Sequence, residues 1–309
     1  MAVQHDVAAR EVGAAKTDAG DDGGEQNSSD NKKERVVFGG TLELQSKPLP
    51  SDVTRASLIR FFDEERESNI ALIASAGGDR ATERIPRTLE LNEYWQDCCN
   101  DTYGVEYLPS DGDPIFATNT TTSYRGLFFS LTTTTYNGIK TIIPSTDKND
   151  DDSSMPKYVL NMIAEQQHPE GLPPVVWAFH KICSFCAGRD SLKPCGRAQG
   201  IMSVVEIAGD DGADGSHAEE HQKQSHYALS FSINISIQIE FPKRLIKIMP
   251  LKKDKAEKVV SKQILKAVSK DIERNLQVFY QLFLDWYADE TNEAKEVETL
   301  DGGVAKSEL

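Results

Sequence analysis

The alternation of apolar and polar residues over positions 227–241 is the strongest structural signal in the sequence. Apolar or aromatic residues occupy every second position, and mostly serine, asparagine, glutamine and glutamate lie between them. Side chains of a β-strand point alternately to its two faces, so the pattern predicts a long strand with one face on a core and one in water. At about 3.3 Å per residue this strand would span roughly 50 Å.

A second apolar pattern follows at helical spacing. Apolar residues recur every three or four positions over residues 256–287, which predicts one amphipathic helix. At about 1.5 Å per residue the helix would reach roughly 48 Å, which matches the length of the strand. We therefore expect the helix to lie along a long, curved antiparallel sheet. Its apolar stripe consists of Ile264, Val268, Ile272, Leu276, Phe279, Phe283 and Trp286.

The preceding residues predict an α+β order of elements. A first strand over 36–44 should be followed by two helices, one from Ser51 or Asp52 to Gly77 and one over 88–102. The Thr-, Tyr- and Phe-rich region after them favours strands. Within it, Asn137-Gly138 has the composition of a two-residue hairpin turn. The predicted strands are 105–108, 115–124, 127–136, 139–143, 158–165 and 201–207, with a short helix from Pro173 through Ile182.

Composition predicts one folded domain between two polar tails. Residues 1–33 and 291–309 hold few aliphatic residues, so we expect disorder in both. Residues 34–290 are long enough to bury a full core, with polar loop insertions near 144–156 and 208–225. No apolar run approaches the roughly 18 residues of a transmembrane helix, and the first residues resemble neither a signal peptide nor a transit peptide. Five cysteines in a chain of 309 residues favour a reducing compartment. We expect a soluble intracellular, cytoplasmic protein.

This order of elements resembles the START-like, helix-grip architecture of the SRPBCC superfamily. The ending resembles a plant, algal and cyanobacterial family described as domain of unknown function 1997. The resemblance rests on the strand that closes at Phe241-Pro242, on residues 245–250 and on the helix end at 282–287. It implies a curved antiparallel sheet, two short helices after the first strand, and a cavity for lipids, pigments, hormones or polyketides under the terminal helix. It also implies a plastid as the alternative location.

From the strand and the helix we expect a non-enzymatic binding module. A hydrophobic or amphipathic small molecule, lipid- or pigment-like, would lie between the inner face of the strand and the terminal helix. The same side chains could instead form a filled core without a ligand. The candidate lining residues are Phe231, Ile233, Ile235 and Ile237 on the strand, and Val268, Ile272, Leu276 and Phe279 on the helix.

The distribution of charge suggests a second hypothesis. The net charge of −15 argues against nucleic acid as a partner, yet residues 243–274 hold eleven Lys and Arg against four Asp and Glu. Lys258, Lys262, Lys266 and Lys270 recur every four residues and form what we call the basic ridge of the predicted helix. The ridge could dock a solid-core assembly factor onto an acidic protein or an anionic membrane surface. A solvated helix face is the alternative.

Two groupings resemble metal sites, but neither has the expected context. His217 and His221 match the H-x-x-E-H pattern of zinc peptidases, inside a polar insertion without a predicted helix. One Cys-x-x-Cys pair has only loosely spaced companions, whereas zinc sites usually combine two separated pairs. No Gly-rich phosphate loop or nucleophile elbow is present. We therefore predict no catalytic residues and no cofactor, and a zinc-dependent enzyme is a remote alternative. The weak zinc candidates are His180, Cys183, Cys186 and Cys195.

Overall fold

The computed structural model describes residues 33–75, 81–124, 128–144, 154–183, 196–207, 226–242 and 252–301. Over these residues the fold is α+β, with one seven-stranded sheet and a long C-terminal helix. The strands are β1 (Lys33–Pro48), β2 (Thr82–Ile85), β3 (Ile115–Tyr124), β4 (Phe129–Ile142), β5 (Lys157–Gly171), β6 (Gly196–Ile207) and β7 (His226–Pro242). The helices are α1 (Arg55–Glu64), α2 (Arg66–Ala74), α3 (Leu89–Cys98), α4 (Pro173–Cys183) and α5 (Lys253–Asp301).

The sheet is antiparallel throughout and has the order β1-β7-β6-β5-β4-β3-β2. The long alternating segment forms β7, which lies between β1 and β6. Its pairing with β1 extends from Lys33 opposite Pro242 to Pro48 opposite Ala228. The predicted long strand, the antiparallel sheet and the long terminal helix are therefore confirmed.

Both faces of the sheet bury side chains. On β4, a Cβ atom on Gly138 would lie 2.5 Å from the Trp95 ring of α3, whereas the next residue, Ile139, packs in the cluster that contains α1, α2 and α5. Successive side chains of a strand point to opposite faces. It follows that α3 covers one face of the sheet and that α1, α2 and α5 lie on the other.

An aromatic cluster joins α1, α5 and the sheet. The Phe61 ring lies 5.5 Å from Phe279 and 5.1 Å from Phe283, both in edge-on geometry, and Phe62 stacks on Tyr158 of β5 at 4.9 Å. Such pairs add to the stabilisation that comes from burying apolar area. The Tyr158 hydroxyl also donates to the Phe62 carbonyl, and burial raises the pKa of Tyr158. These contacts hold α1 between α5 and β5.

Local capping explains where the first helices begin. Thr54 caps α1 rather than Ser51 or Asp52, in a reciprocal capping box with Ser57. The predicted single helix breaks at Glu65, which separates α1 from α2. Thr88 caps α3 by accepting a hydrogen bond from the Leu91 amide at 3.2 Å.

The prediction of a turn at Asn137-Gly138 is wrong. Both residues lie inside β4, so the predicted strands 127–136 and 139–143 belong to one strand. The pairing of β4 with β5 shifts register between Tyr136 and Asn137, and Trp95 occupies the space that a side chain at 138 would need. A bulge and a close ring contact favour glycine as strongly as a turn does, which explains the error.

Several boundaries also differ from the prediction. Residues 105–108 are not a strand, because a π-helical turn (Cys99–Tyr103) and a 3-10 turn (Val105–Tyr107) occupy this region. The short edge strand β2 was not predicted. Strand β5 continues to Gly171, β6 begins at Gly196, and α5 extends past residue 290, where the sequence predicts a tail, to Asp301.

Gly138→Ala should lower the free energy of unfolding by about 1–3 kcal/mol, because the new methyl group would overlap the buried Trp95 ring. Chemical denaturation measures this change. Trp95→Leu removes the ring, so Gly138→Ala should cost less in that background. An equal cost in both backgrounds would show that the two residues do not interact.

Candidate functional site

The predicted ligand site has a filled end. Ile272, Leu276 and Phe279 of α5 are no more than 5% exposed, and Phe231 of β7 is 5% exposed. All four belong to the cluster that the α1 phenylalanines complete. Half of the candidate lining residues therefore lie in a solid core, and Ile235 is also buried.

The other end remains partly open to solvent. Ile233 and Ile237 of β7 and Val268 of α5 are only partly buried. Leu42 of β1 and Leu160 of β5 are also partly buried, and both lie in the same cross-strand row as Ile233. Apolar side chains from four elements therefore stay partly exposed at this end.

Small residues on β6 lie beside these apolar side chains. Gly196, Ala198 and Gly200 alternate along β6 on the face that carries Met202, a member of the cluster with α5. They pair with Ile237, Ile235 and Ile233 of β7. We call this region the β6 trough: Gly196, Ala198 and Gly200, bordered by Leu160, Ile233, Ile237 and Val268.

Two β7 side chains lie close to the glycines of the trough. A Cβ atom on Gly200 would lie 3.1 Å from the Phe231 ring, and one on Gly196 would lie 3.3 Å from Ile237. Both distances are shorter than ordinary van der Waals contact between carbon atoms. A larger residue at position 200 or 196 would therefore displace Phe231 or Ile237, respectively.

Helix α5 is attached to the outer edge of β1 beside the trough. The Val37 amide donates to the Glu257 carboxylate at 2.9 Å, and the Gly39 amide donates to the Ser261 hydroxyl at 3.0 Å. A Cβ atom on Gly40 would lie 3.1 Å from Leu265. These contacts satisfy amides of an edge strand, which would otherwise be open to pairing with another chain. They also hold α5 over β1 at this end.

Strands β5 and β6 separate at the trough. Their ladder ends at Asn161 opposite Gln199, although both strands continue. At the next residues of the two strands, the Tyr103 hydroxyl lies between the backbones. It donates to the Met162 carbonyl at 2.8 Å and accepts from the Ala198 amide at 3.1 Å. Burial raises the pKa of Tyr103, so the hydroxyl keeps its proton. The trough therefore ends at a gap between two strands.

Polar groups flank the same gap on the opposite face. Asn161 is fully buried, and its side-chain oxygen accepts from Gln199 at 2.9 Å. The Asn161 amide nitrogen and one terminal nitrogen of Arg197 are buried without a hydrogen-bond partner. Buried donors of this kind are normally satisfied by water or by a ligand. These donors lie on the face of the sheet opposite the β6 trough.

The basic ridge lies on the exposed face of α5. Lys258, Lys262, Lys266 and Lys270 are all exposed, and no acidic residue lies between 258 and 270. The helix therefore separates an apolar face directed at the sheet from a basic face directed at solvent.

The described residues provide no metal site. No group of three His, Cys, Asp or Glu side chains comes together within them. Of the zinc candidates, the Cys183 side chain, Cys186 and Cys195 lie outside the described residues, as does the H-x-x-E-H pattern at 217–221. Among the helices that the structure describes, none is both long and apolar enough to cross a membrane.

The two adjacent cysteines are buried thiols. The Cys98 sulfur donates to the Ile163 carbonyl at 3.6 Å, and the Cys99 sulfur donates to the Tyr107 carbonyl at 3.1 Å. Burial raises the pKa of Cys99 to about 11. The thiolate is the nucleophilic form of cysteine, so Cys99 is poorly suited to covalent catalysis at neutral pH.

Sequence patterns alone did not locate the trough. Its signal is the alternation of small residues over 196–200, but glycine lowers strand propensity, so the predicted strand begins only at Ile201. No local sequence pattern identifies the role of Tyr103, because its hydroxyl bonds to two strands that are distant in the sequence. Comparison with models of known protein families and with curated proteins found no match to this chain.

Tyr103→Phe should lower the free energy of unfolding by about 1–3 kcal/mol, because it leaves the Ala198 amide and the Met162 carbonyl without this partner. Amide hydrogen exchange at Ala198 should become faster. Tyr136→Phe is the matched control, since it removes an exposed hydrogen bond to Gln166. Similar effects of the two substitutions would contradict a structural role for the Tyr103 hydroxyl.

Proposed function

We propose that this protein is a non-enzymatic binding module that holds a hydrophobic or amphipathic small molecule, lipid- or pigment-like, in the β6 trough. The observation that carries the proposal is the set of partly exposed apolar side chains around Gly196, Ala198 and Gly200, next to the buried cluster that α1 completes. Small-molecule sites are typically concave and mostly apolar, with a few polar groups that fix orientation.

The trough suggests how such a molecule would be oriented. From Gly196 to Gly200 it covers about 13 Å of strand, enough for a ring system or part of an acyl chain. Ile233, Ile237 and Val268 would contact the apolar body. The Tyr103 hydroxyl bridges β5 and β6 at the end of the trough and would be the polar group beside the molecule.

The START-like, helix-grip architecture and membership of the domain of unknown function 1997 family belong to the same proposal. Support comes from the helices α1 and α2 after β1 and from the long helix α5 on the antiparallel sheet. An intracellular location, cytoplasmic or plastid, fits a carrier of this type and remains part of the proposal.

The first test asks whether a molecule accompanies the protein. Native mass spectrometry of the protein purified from the cells that make it should show a mass above that of the chain. Ala198→Phe should lose at least 90% of this additional mass, because the ring would occupy the trough. Val205→Phe is the control, since Val205 lies on the opposite face of β6 and should leave the mass unchanged.

Two results would count against the proposal. One is a wild-type mass equal to that of the chain alone in repeated preparations. The other is a bound molecule that Ala198→Phe retains as fully as Val205→Phe does.

A second candidate function is an interaction or assembly factor that docks through the basic ridge. The exposure of Lys258, Lys262, Lys266 and Lys270 favours it, together with the absence of acidic residues over 258–270. An acidic protein or an anionic membrane surface would be the partner. Each lysine near such a membrane contributes about 1 kcal/mol to binding.

Flotation with vesicles that contain phosphatidylserine tests the ridge. Lys262→Glu with Lys266→Glu should weaken binding roughly 30-fold or more, because about 2 kcal/mol of attraction is lost. Arg35→Glu with Lys47→Glu makes the same change in net charge at exposed positions of β1. Equal flotation of the two double variants would contradict docking through the ridge.

A further inference from the structure

Arg197 at the start of β6 is a partly buried cation without a counter-ion. One of its terminal nitrogens is fully buried, and within the described part of the chain its side chain forms neither a hydrogen bond nor an ion pair. A guanidinium that is withdrawn from water without a partner costs free energy. The other partly buried arginines that the structure describes each have an acceptor. These acceptors are Ser154 for Arg55, Asp113 for Arg66 and Asn92 for Arg87.

A second donor lies on the same face of the sheet as Arg197. Asn161 of β5 is fully buried, its side-chain oxygen accepts from Gln199 at 2.9 Å, and its amide nitrogen has no partner among the residues that the structure describes. Asn161 pairs with Gln199, and Arg197 is two residues before Gln199 on β6, so the three side chains share one face. Gly138, which faces Trp95 of α3, pairs with Asn161 from the other side. Both donors therefore lie on the α3 side of the sheet.

Tyr103 fixes the separation of the two strands at these donors. Its hydroxyl bonds to the Met162 carbonyl at 2.8 Å and to the Ala198 amide at 3.1 Å. Met162 follows Asn161 and Ala198 follows Arg197, so a single hydroxyl group lies between the two backbones. Burial raises the pKa of Tyr103, and the charge of nearby Arg197 opposes this rise. The two donors thus flank the same gap between β5 and β6.

The surrounding charges do not neutralise Arg197. No carboxylate of the described residues lies within 4.0 Å of its guanidinium. Arg197 pairs with Ser236, and the closest acidic residue along β7 is Glu240, four residues away. On β1, Glu43 pairs with Ser232, which is also four residues from Ser236. Four residues correspond to about 13 Å of strand, which exceeds the screening length of about 8 Å at physiological salt.

The two donors define the chemistry of their missing partner. Arginine has no acceptor, and the acceptor of Asn161 is already used, so the partner must supply oxygen acceptors. A planar guanidinium matches a carboxylate, which it binds through two parallel hydrogen bonds. A single cation balances a single negative charge, whereas phosphate sites usually combine several cations or a helix N-terminus. Arg197 is partly exposed and Asn161 is fully buried, so only a small group fits.

We propose that Arg197 and Asn161 bind the carboxylate of a small organic acid on the α3 side of the gap between β5 and β6. Arg197 supplies the charge and the paired hydrogen bonds, and Asn161 supplies one further donor. The site is independent of a molecule in the β6 trough, because the trough lies on the other face of the sheet.

Titration with sodium acetate tests the proposal directly. In two-dimensional ¹H–¹⁵N NMR spectra, the side-chain N–H signals of Arg197 and Asn161 should move and reach saturation as acetate is added at constant ionic strength. Half-saturation should fall in the millimolar range, because so small a ligand makes few contacts. Sodium chloride over the same range should give no saturable change.

Substitution of the two donors should abolish this binding. Arg197→Gln should weaken acetate binding about 10-fold or more, because the charged hydrogen bonds are lost. Arg35→Gln is the matched control, since it makes the same change in net charge at an exposed position of β1, and it should bind acetate like the wild type. Asn161→Asp should also abolish the binding, because it places a carboxylate of the chain itself beside Arg197. Its melting temperature should be no lower than that of the wild type.

Four outcomes would overturn the proposal. The first is the absence of a saturable change in the wild type with acetate. The second is an equal response to acetate and chloride, which would indicate an adventitious ion only. The third is equal acetate binding by Arg197→Gln and Arg35→Gln. The fourth is full acetate binding by Asn161→Asp, which would show that the carboxylate binds elsewhere on the chain.

Discussion

Two hydrogen bonds between the edge of the sheet and the terminal helix determine where the apolar interior can open. The Val37 and Gly39 amides of β1 donate to Glu257 and Ser261 of α5, so the helix covers an edge that would otherwise be unpaired. As a result α5 contacts β1 much more extensively than β7.

The packing between α5 and the sheet differs at the two ends of the helix. At one end Phe61 and Phe62 of α1 pack between α5 and the sheet and close the core. At the other end β6 presents only Gly196, Ala198 and Gly200, and the surrounding apolar residues remain partly exposed. Exposed apolar surface costs about 25 cal/mol per Å², so an apolar molecule in the trough would stabilise the fold. Such a ligand would replace the filling that α1 provides at the first end.

Strong periodicity made part of this structure predictable from the sequence. β7 and α5 were predicted because each repeats one apolar pattern over many residues. The prediction of a turn at Asn137-Gly138 was wrong because a bulge and the nearby Trp95 ring favour the same residue types as a turn does. Periodicity also identified the face that bears Phe231 and Ile233, but not which of them is enclosed. That depends on α1, which lies far from β7 in the sequence and reaches it only through tertiary packing.

The most direct measurement is an experimental electron-density map of the protein purified from the cells that make it. The map should show continuous density that no residue accounts for, bounded by Ala198, Ile233 and Val268 and reaching toward the gap beside Tyr103. Extraction with organic solvent before crystallisation should remove it. Protein side chains that fill this space, or ordered water alone in the unextracted protein, would contradict the proposal of a ligand in the β6 trough.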